Sequence, residues 1–414
     1  MNWLRKSSSV PQTPREHHVG LDLNSSRILA GSFSEKRCRM LPIEPGSLSL
    51  PLVVNAEGRT PQIGSAGLNL LRRRPHLCYG GFLASLGSSK PWRSGRHSLT
   101  PDAALQLAFD AIHAAFPSES AAIAFALPAY LSTTQIERLV DVAHRANLPL
   151  EGTIAAPLAI VADGAGTILG AKLAEEEHEN PVVMPIHSTL HGPGTVLLID
   201  VDDHGLSGSL VAVEADRVRL LASAVWPRSG EKAWLSRLID AVSDRCVRLC
   251  RRDPRDSADA EQDLYEQLLS VLDAGLTERV SLTLRTAQWY QVVVQQPEDF
   301  EDHCAHLIHT VTQDVQEFLA ATRLTHPPRH LWLTHEAARL PGLAKHLHAN
   351  SAVATSLVLL PREATVAAVA RLVPRWLSGE MPRTHVGTEL LLPGTGIVEP
   401  VSKGNVARSA PARK

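Results

Sequence analysis

Val19-Gly20-Leu21-Asp22-Leu23-Asn24-Ser25-Ser26-Arg27-Ile28-Leu29-Ala30 and, farther on, Val196-Leu197-Leu198-Ile199-Asp200-Val201-Asp202-Asp203-His204-Gly205-Leu206-Ser207-Gly208-Ser209-Leu210-Val211-Ala212-Val213 follow one plan. Each is an apolar strand that reaches Asp, then a short polar turn, then a second strand leading back. Such a hairpin offers a carboxylate and free backbone N–H groups at its tip, a combination suited to phosphate and a hydrated divalent cation. Two copies in one chain predict a duplicated α/β fold that grips a nucleotide from both sides.

Composition supports a large folded chain. With 414 residues, 44% of them hydrophobic, two domains are the default expectation. A formal net charge of −2 argues against a nucleic-acid protein as a whole. The charge is uneven, however: the first hundred residues are rich in Lys and Arg, with the run Arg72-Arg73-Arg74, and the tail beyond Pro400 is purely basic. That imbalance reads either as a solvated face with disordered ends or as a contact for an anionic partner. The opening residues lack the apolar core of a signal peptide, and no stretch approaches the length of a membrane span. Five scattered cysteines, Cys38, Cys78, Cys246, Cys250 and Cys304, read as reduced residues, which places the chain in the cytoplasm.

Five segments are predicted along the chain. Residues 1–18 form a disordered leader, 19–165 a first lobe, and 166–194 an insertion carrying His178, His187 and His191. Residues 195–378 form a second lobe whose last helix returns to the first, and 379–414 a linker-like, basic tail. Helices are predicted over 101–115, where Thr100 caps and Pro101 opens the first turn, and over 133–147, 231–252, 260–274, 299–322, 340–348 and 362–376. Buried strands are predicted over 121–127, 281–284 and 330–333. The Gly-, Ser- and Arg-rich stretch 64–99 resists assignment.

In this order of elements the chain resembles the nucleotide-binding domain of heat-shock-protein-70 chaperones, within the actin-like ATPase superfamily, over roughly residues 19–376. Gly20-Leu21-Asp22-Leu23-Asn24-Ser25-Ser26 is similar to the first phosphate loop and Ile199 through Gly205 occupies the second. Ala126-Leu127-Pro128-Ala129-Tyr130-Leu131-Ser132 with Gln135 is the closest local match, to the family's V-P-A-Y-F…Q-R segment. Ala155 through Gly164 and Glu363 through Ala370 stand where the two connecting helices lie. Ser229-Gly230-Glu231 falls on the family's G-G-E, and Leu331 through Pro341 on its adenosine segment. The resemblance implies two lobes of duplicated β-sheet plus helices around a central cleft. It also implies ATP or ADP with Mg²⁺, the metal held through water by Asp22 and Asp200. The implied nucleotide contacts are Asp22, Asn24, Ser25, Ser26, Asp200, Asp202, Asp203, Gly205, Gly230, Glu231, His335 and Glu336.

The departures from the family pattern argue against hydrolysis. Phosphoryl transfer needs a positioned Mg²⁺, cations that stabilise spreading charge and a carboxylate that orients water. The segment that carries the family's catalytic lysine reads Gly80-Gly81-Phe82-Leu83-Ala84-Ser85-Leu86-Gly87, leaving Lys90 or Arg93 as substitutes. The connecting-helix glutamate is replaced by Ala155 or Ala156, and the acid after the second loop by Ser207. Losing one such group typically costs ~10²–10³ in rate. Binding is weakened too: Asn24, Asp202, Asp203 and His204 stand where glycines let a triphosphate approach. His335 and Glu336 replace paired glycines at the adenosine, and the helix that offers a basic clamp reads Val271-Leu272-Asp273-Ala274-Gly275. No catalytic residue is assigned. The expected function is a binding or regulatory module with weak or no ATP affinity and an unidentified protein partner, the rival being a chaperone-type ATPase with atypical loops. Glu389-Leu390-Leu391-Leu392-Pro393 is similar to an apolar interdomain linker, although such a run is more often a strand.

Overall fold

The computed structural model describes residues 17–34, 37–117, 121–170, 194–350, 353–354, 356–384 and 386–392. Residues 1–16, most of the expected 166–194 insertion with its three histidines, and the basic tail beyond 392 lie outside the described residues. The fold is mixed α/β, built on two large sheets. No helix among the described residues is long and apolar enough to cross a membrane.

The first sheet contains β1 (His17–Leu23), β2 (Arg27–Ser34), β3 (Arg37–Leu41), β4 (Ala121–Leu127) and β5 (Leu150–Ala155) in the order 5-4-1-2-3. β1, β4 and β5 run parallel, and β2 and β3 are added antiparallel. β1 thus begins at His17, inside the stretch expected to be a disordered leader. The second sheet contains β6 (Gly194–Val201), β7 (Leu206–Val213), β8 (Arg217–Trp226), β9 (His330–Leu333) and β10 (Ser356–Leu359). Its order, 10-9-6-7-8, and its strand directions repeat the first sheet. The duplication is therefore topological as well as local.

Burial on both faces explains why the central strands read as unbroken apolar runs. On β4, Ala122, Ala124 and Ala126 face a core shared by both sheets, while Ile123, Phe125 and Leu127 face the first sheet's outer core. On β6, Val196 and Leu198 face the shared core and Leu197, Ile199 and Val201 the second sheet's outer core. α1 (Pro101–Ala115) and α2 (Thr133–Arg145) contribute Leu105, Phe109, Leu139 and Val142 to the first outer core. α3 (Ala156–Gly170) contributes to the shared core. α4 (Glu231–Cys250), α5 (Ala258–Ala274) and α6 (Pro297–Ala321) contribute to the second outer core. Each sheet with its outer helices is one lobe. α7 (Ala364–Leu377) follows the second lobe in sequence but lies across β1, β2 and β4. Gly20 allows that crossing, since a Cβ there would stand 2.2 Å from the Val366 carbonyl oxygen.

The capping signals act as expected. Thr100 Oγ1 accepts from Ala103 N, and Ser132 with Gln135 forms a capping box that starts α2. The helix expected over 340–348 starts three residues later, after Gly342. A single turn, His335–Ala338, is capped by Thr334; the chain then turns through Pro341 and Gly342 (φ +70°) before a helix over Leu343–Ala349. Proline and a left-handed glycine end the first turn. The strands of the unassigned 64–99 region have three residues each: Cys78–Gly80 and the hairpin of Trp92–Ser94 with His97–Leu99. The run read as linker or strand is β11 (Glu389–Leu391), antiparallel to β8, and nearby Thr153 N donates to Arg383 O at the edge of the first sheet.

Candidate functional site

The two hairpin tips meet between the lobes, and their turns match atom for atom. Asn24 N donates to Arg27 O at 3.1 Å, and Asp202 N donates to Gly205 O at 3.1 Å. Asn24 Oδ1 accepts from Ser26 N (2.9 Å) and Arg27 N (3.0 Å); Asp202 Oδ1 accepts from His204 N (2.8 Å) and Gly205 N (3.1 Å). Each side chain satisfies the N–H groups of its own turn. Two residues earlier stand Asp22 on β1 and Asp200 on β6, again equivalent.

Contacts between the tips cross the cleft. Ser25 N donates to Asp202 Oδ2 at 2.8 Å, and the Tyr130 hydroxyl, at the end of the family-like Ala126–Tyr130 run, donates to the same oxygen. Asp203 N donates to Ser26 Oγ at 2.8 Å, and Ser26 Oγ donates to Glu231 Oε2 at 3.1 Å. Glu231 opens α4 immediately after Gly230, where a Cβ would come within 3.0 Å of Asp202 O. Lys232 Nζ sits 2.8 Å from Asp203 Oδ2. This is the lysine that the fold brings to the acidic loop. Lys90 and Arg93, the suggested substitutes, are exposed, and among the described residues neither side chain pairs with a cleft acid.

On the side expected to receive adenosine, charged side chains fill the space. Arg27 pairs with Glu336 across the cleft, and both are buried. Arg339 pairs with Glu231 and with Asp273, the acid standing where the family offers a basic clamp; Arg362 lies 3.6 Å from the same Asp273. What remains is a cavity of about 190 Å³ lined by Ser26, Arg27, Asp203, Tyr265, Asp273 and Arg339 among others. Small-molecule sites usually run to ~300–1,000 Å³. A larger open groove of about 830 Å³ lies between α6 and the 343–349 helix, lined by Glu301, His309, Lys345 and His346, and none of the expected site residues lines it.

Burial governs the acids. Asp22 is pushed up to about 7 by burial, then by the neighbouring carboxylates of Asp200 and Asp202, against the pull of Arg27. Asp200 is raised to about 6 by burial although Thr334 Oγ1 donates to its Oδ1 at 2.6 Å. Asp203 is raised to about 6, with Lys232 opposing the effect of burial. Asp202 is raised by burial against its four donors. Burial, then Arg339, lowers His335 to about 4.

All twelve expected contact residues are thus gathered at one place, but a magnesium nucleotide held in the implied way does not fit them. The N–H groups of Ser25, Ser26, Arg27, His204 and Gly205 already have acceptors within the chain. Asp202 stands among them as a carboxylate that would repel a phosphate. The adenosine side is closed by the Arg27–Glu336 and Arg339–Glu231 pairs. Among the described residues no cluster of three or more His, Cys, Asp and Glu is arranged to ligate a metal directly.

Several decisive residues were given no role in the sequence reading: Arg27, Tyr130, Lys232, Thr334 and Arg339. Each lies within or beside a segment matched to the family, but its partner belongs to another segment, 72 residues away for Tyr130 and Asp202 and 108 for Arg339 and Glu231. The run Arg72-Arg73-Arg74, read as a solvated face or a contact for an anionic partner, makes ion pairs within the chain. Arg72 and Arg73 pair with Glu261, Asp259 and Asp263 of α5, and Arg74 pairs with Glu57, so their partners are intramolecular. Compared with known proteins, the chain matches no family model and no curated protein.

Proposed function

We propose that this chain is a non-catalytic relative of heat-shock-protein-70-type nucleotide-binding domains, with actin-like architecture. It acts through its surface as a binding or regulatory module, and its ATP affinity is weak or lost. The repeated sheet order and the paired hairpins carrying Asp22 and Asp200 support the architecture. One observation carries the loss of nucleotide binding: the groups that would receive ATP are bonded to one another, Ser25 N to Asp202 and Arg27 to Glu336. A nucleotide would have to replace those contacts and separate buried ion pairs, each of which would leave a desolvated charge to be matched anew.

The rival reading, a chaperone-type ATPase, is favoured by the retention of Asp22 and Asp200 at equivalent positions. Isothermal titration with ATP and ADP, with and without Mg²⁺, separates the two. The expected result is no heat up to millimolar nucleotide and no thermal shift, whereas a ligand at 100 times its Kd adds about 2.7 kcal/mol. Micromolar, Mg²⁺-dependent binding that disappears in Asp200→Ala would overturn the proposal.

A further inference from the structure

We propose that the carboxylate of Asp202 is the cleft's resident anion: it fills an oxyanion seat built by both hairpins and Tyr130, and so latches the two lobes together with no ligand. This deepens the proposed function and rests on it.

Asn24 and Asp202 stand at equivalent positions of the two hairpin turns. Each has one oxygen, Oδ1, that accepts two N–H groups of its own turn. That contact needs only an amide, and the first hairpin uses one. The second hairpin has a carboxylate instead, and its additional acceptor, Oδ2, serves no local purpose. It takes Ser25 N at 2.8 Å and the Tyr130 hydroxyl, both from the first lobe. Asp202 therefore receives four donors, three of them backbone N–H groups drawn from both hairpin tips. Converging N–H groups of this kind are a general anion-binding arrangement, and hydrogen bonds to an ionised acceptor are stronger than neutral ones.

Burial makes the assignment sharper. Asp202 is 3% exposed and shares the cleft with Asp22, Asp200 and Asp203. A buried carboxylate among like charges is costly unless hydrogen-bonded. A position whose only task was to close a turn would do as well with asparagine, as Asn24 does. The carboxylate has a purpose only across the cleft. The adjoining contacts, Asp203 N to Ser26 Oγ and Ser26 Oγ to Glu231, reinforce the same closure.

Asp202→Asn is the discriminating variant. It keeps the turn's Oδ1 acceptor but turns an amide donor toward Ser25 N–H and loses the charge. Relative to wild type, the expected result is a Tm lower by ~2 °C or more and a larger radius of gyration by small-angle scattering, as the lobes part. Asp202→Gly vacates the seat, and acetate has the shape of the missing side chain. Acetate at tens of millimolar, against chloride at equal ionic strength, should raise the Tm of Asp202→Gly and leave wild type unchanged. Tyr130→Phe, which removes one donor and no backbone contact, should enlarge the radius in the same direction and serves if the Asp202 variants fail to fold. Wild-type radius and Tm in Asp202→Asn, or equal acetate effects on wild type and Asp202→Gly, would overturn the latch. ATP binding by the wild-type chain would instead end the non-catalytic reading and leave the Asp202 contacts to be judged by these variants.

Discussion

Two sets of polar contacts around the cleft differ in character, those on its floor and those at its rim. On the floor, Arg339, Glu231, Arg27, Glu336 and Asp202 are buried, each below a tenth of full exposure, and every pairing is hydrogen-bonded or ionic. At the rim, Gln262 of α5 accepts from Arg72 N at 2.7 Å and donates to Leu68 O at 3.0 Å, while Arg73 reaches Asp259 and Asp263 in the open. Arg73 is 38% exposed and Asp259 80% as side chains. Desolvation makes the floor contacts expensive to break, whereas the exposed Arg73 pairs at the rim are screened by water and salt.

Breaking the floor should therefore have the largest effect. Arg339→Ala leaves Glu231 and Asp273 without their buried guanidinium, and a loss of about 3–5 kcal/mol is expected in chemical denaturation. A loss under 1 kcal/mol would mean the floor is no better than a surface contact. Next come the matched turn residues. Asn24→Ala should cost about 1 kcal/mol for its local turn, and Asp202→Ala about 1–3 kcal/mol more, because it also strands Ser25 N and the Tyr130 hydroxyl. Equal losses would erase the difference between the two hairpins.

Acidity offers a third handle on the floor. Asp22 at about 7 and Asp200 and Asp203 at about 6 hold protons more tightly folded than unfolded, where the value is 3.8. Between those values the folded chain binds more protons, so stability is greater at the acid end and falls as pH rises through 4 to 7. Asp22→Asn should make that fall shallower in denaturation series across pH; an unchanged slope would count against the burial of these acids. At the rim, Arg73→Ala should cost well under 1 kcal/mol and lose what effect it has at high salt.

How much of this was legible in the sequence depends on the range of the interactions. Local signals succeeded: α1 spans the expected 101–115, β4 the expected 121–127 and β9 the expected 330–333. The paired hairpins also led to the repeated sheet order. Failures cluster where neighbours far along the chain decide. β8, β10 and the strand Tyr290–Gln295 gain their identity from pairing with other strands, and the 340–348 pattern kept its helical period across Pro341 and Gly342, which break it. The site was legible as a set of positions and not as a set of bonds. Asp202 and Asp203 stood out as charges beside expected phosphates, whereas their contacts with Ser25, Ser26, Tyr130 and Lys232 need the folded chain.

Residue-resolved hydrogen exchange in the nucleotide-free chain tests most directly whether the cleft is closed by its own side chains. The amide of Ser25, donating to Asp202 across the cleft, should be protected to the same degree as the N–H groups of His204 and Gly205 within the second turn, and Mg²⁺-ATP should change none of them. Rapid exchange at Ser25 beside a protected His204, slowed only when Mg²⁺-ATP is added, would mean that the lobes stand apart until a nucleotide closes them, and the account would be wrong.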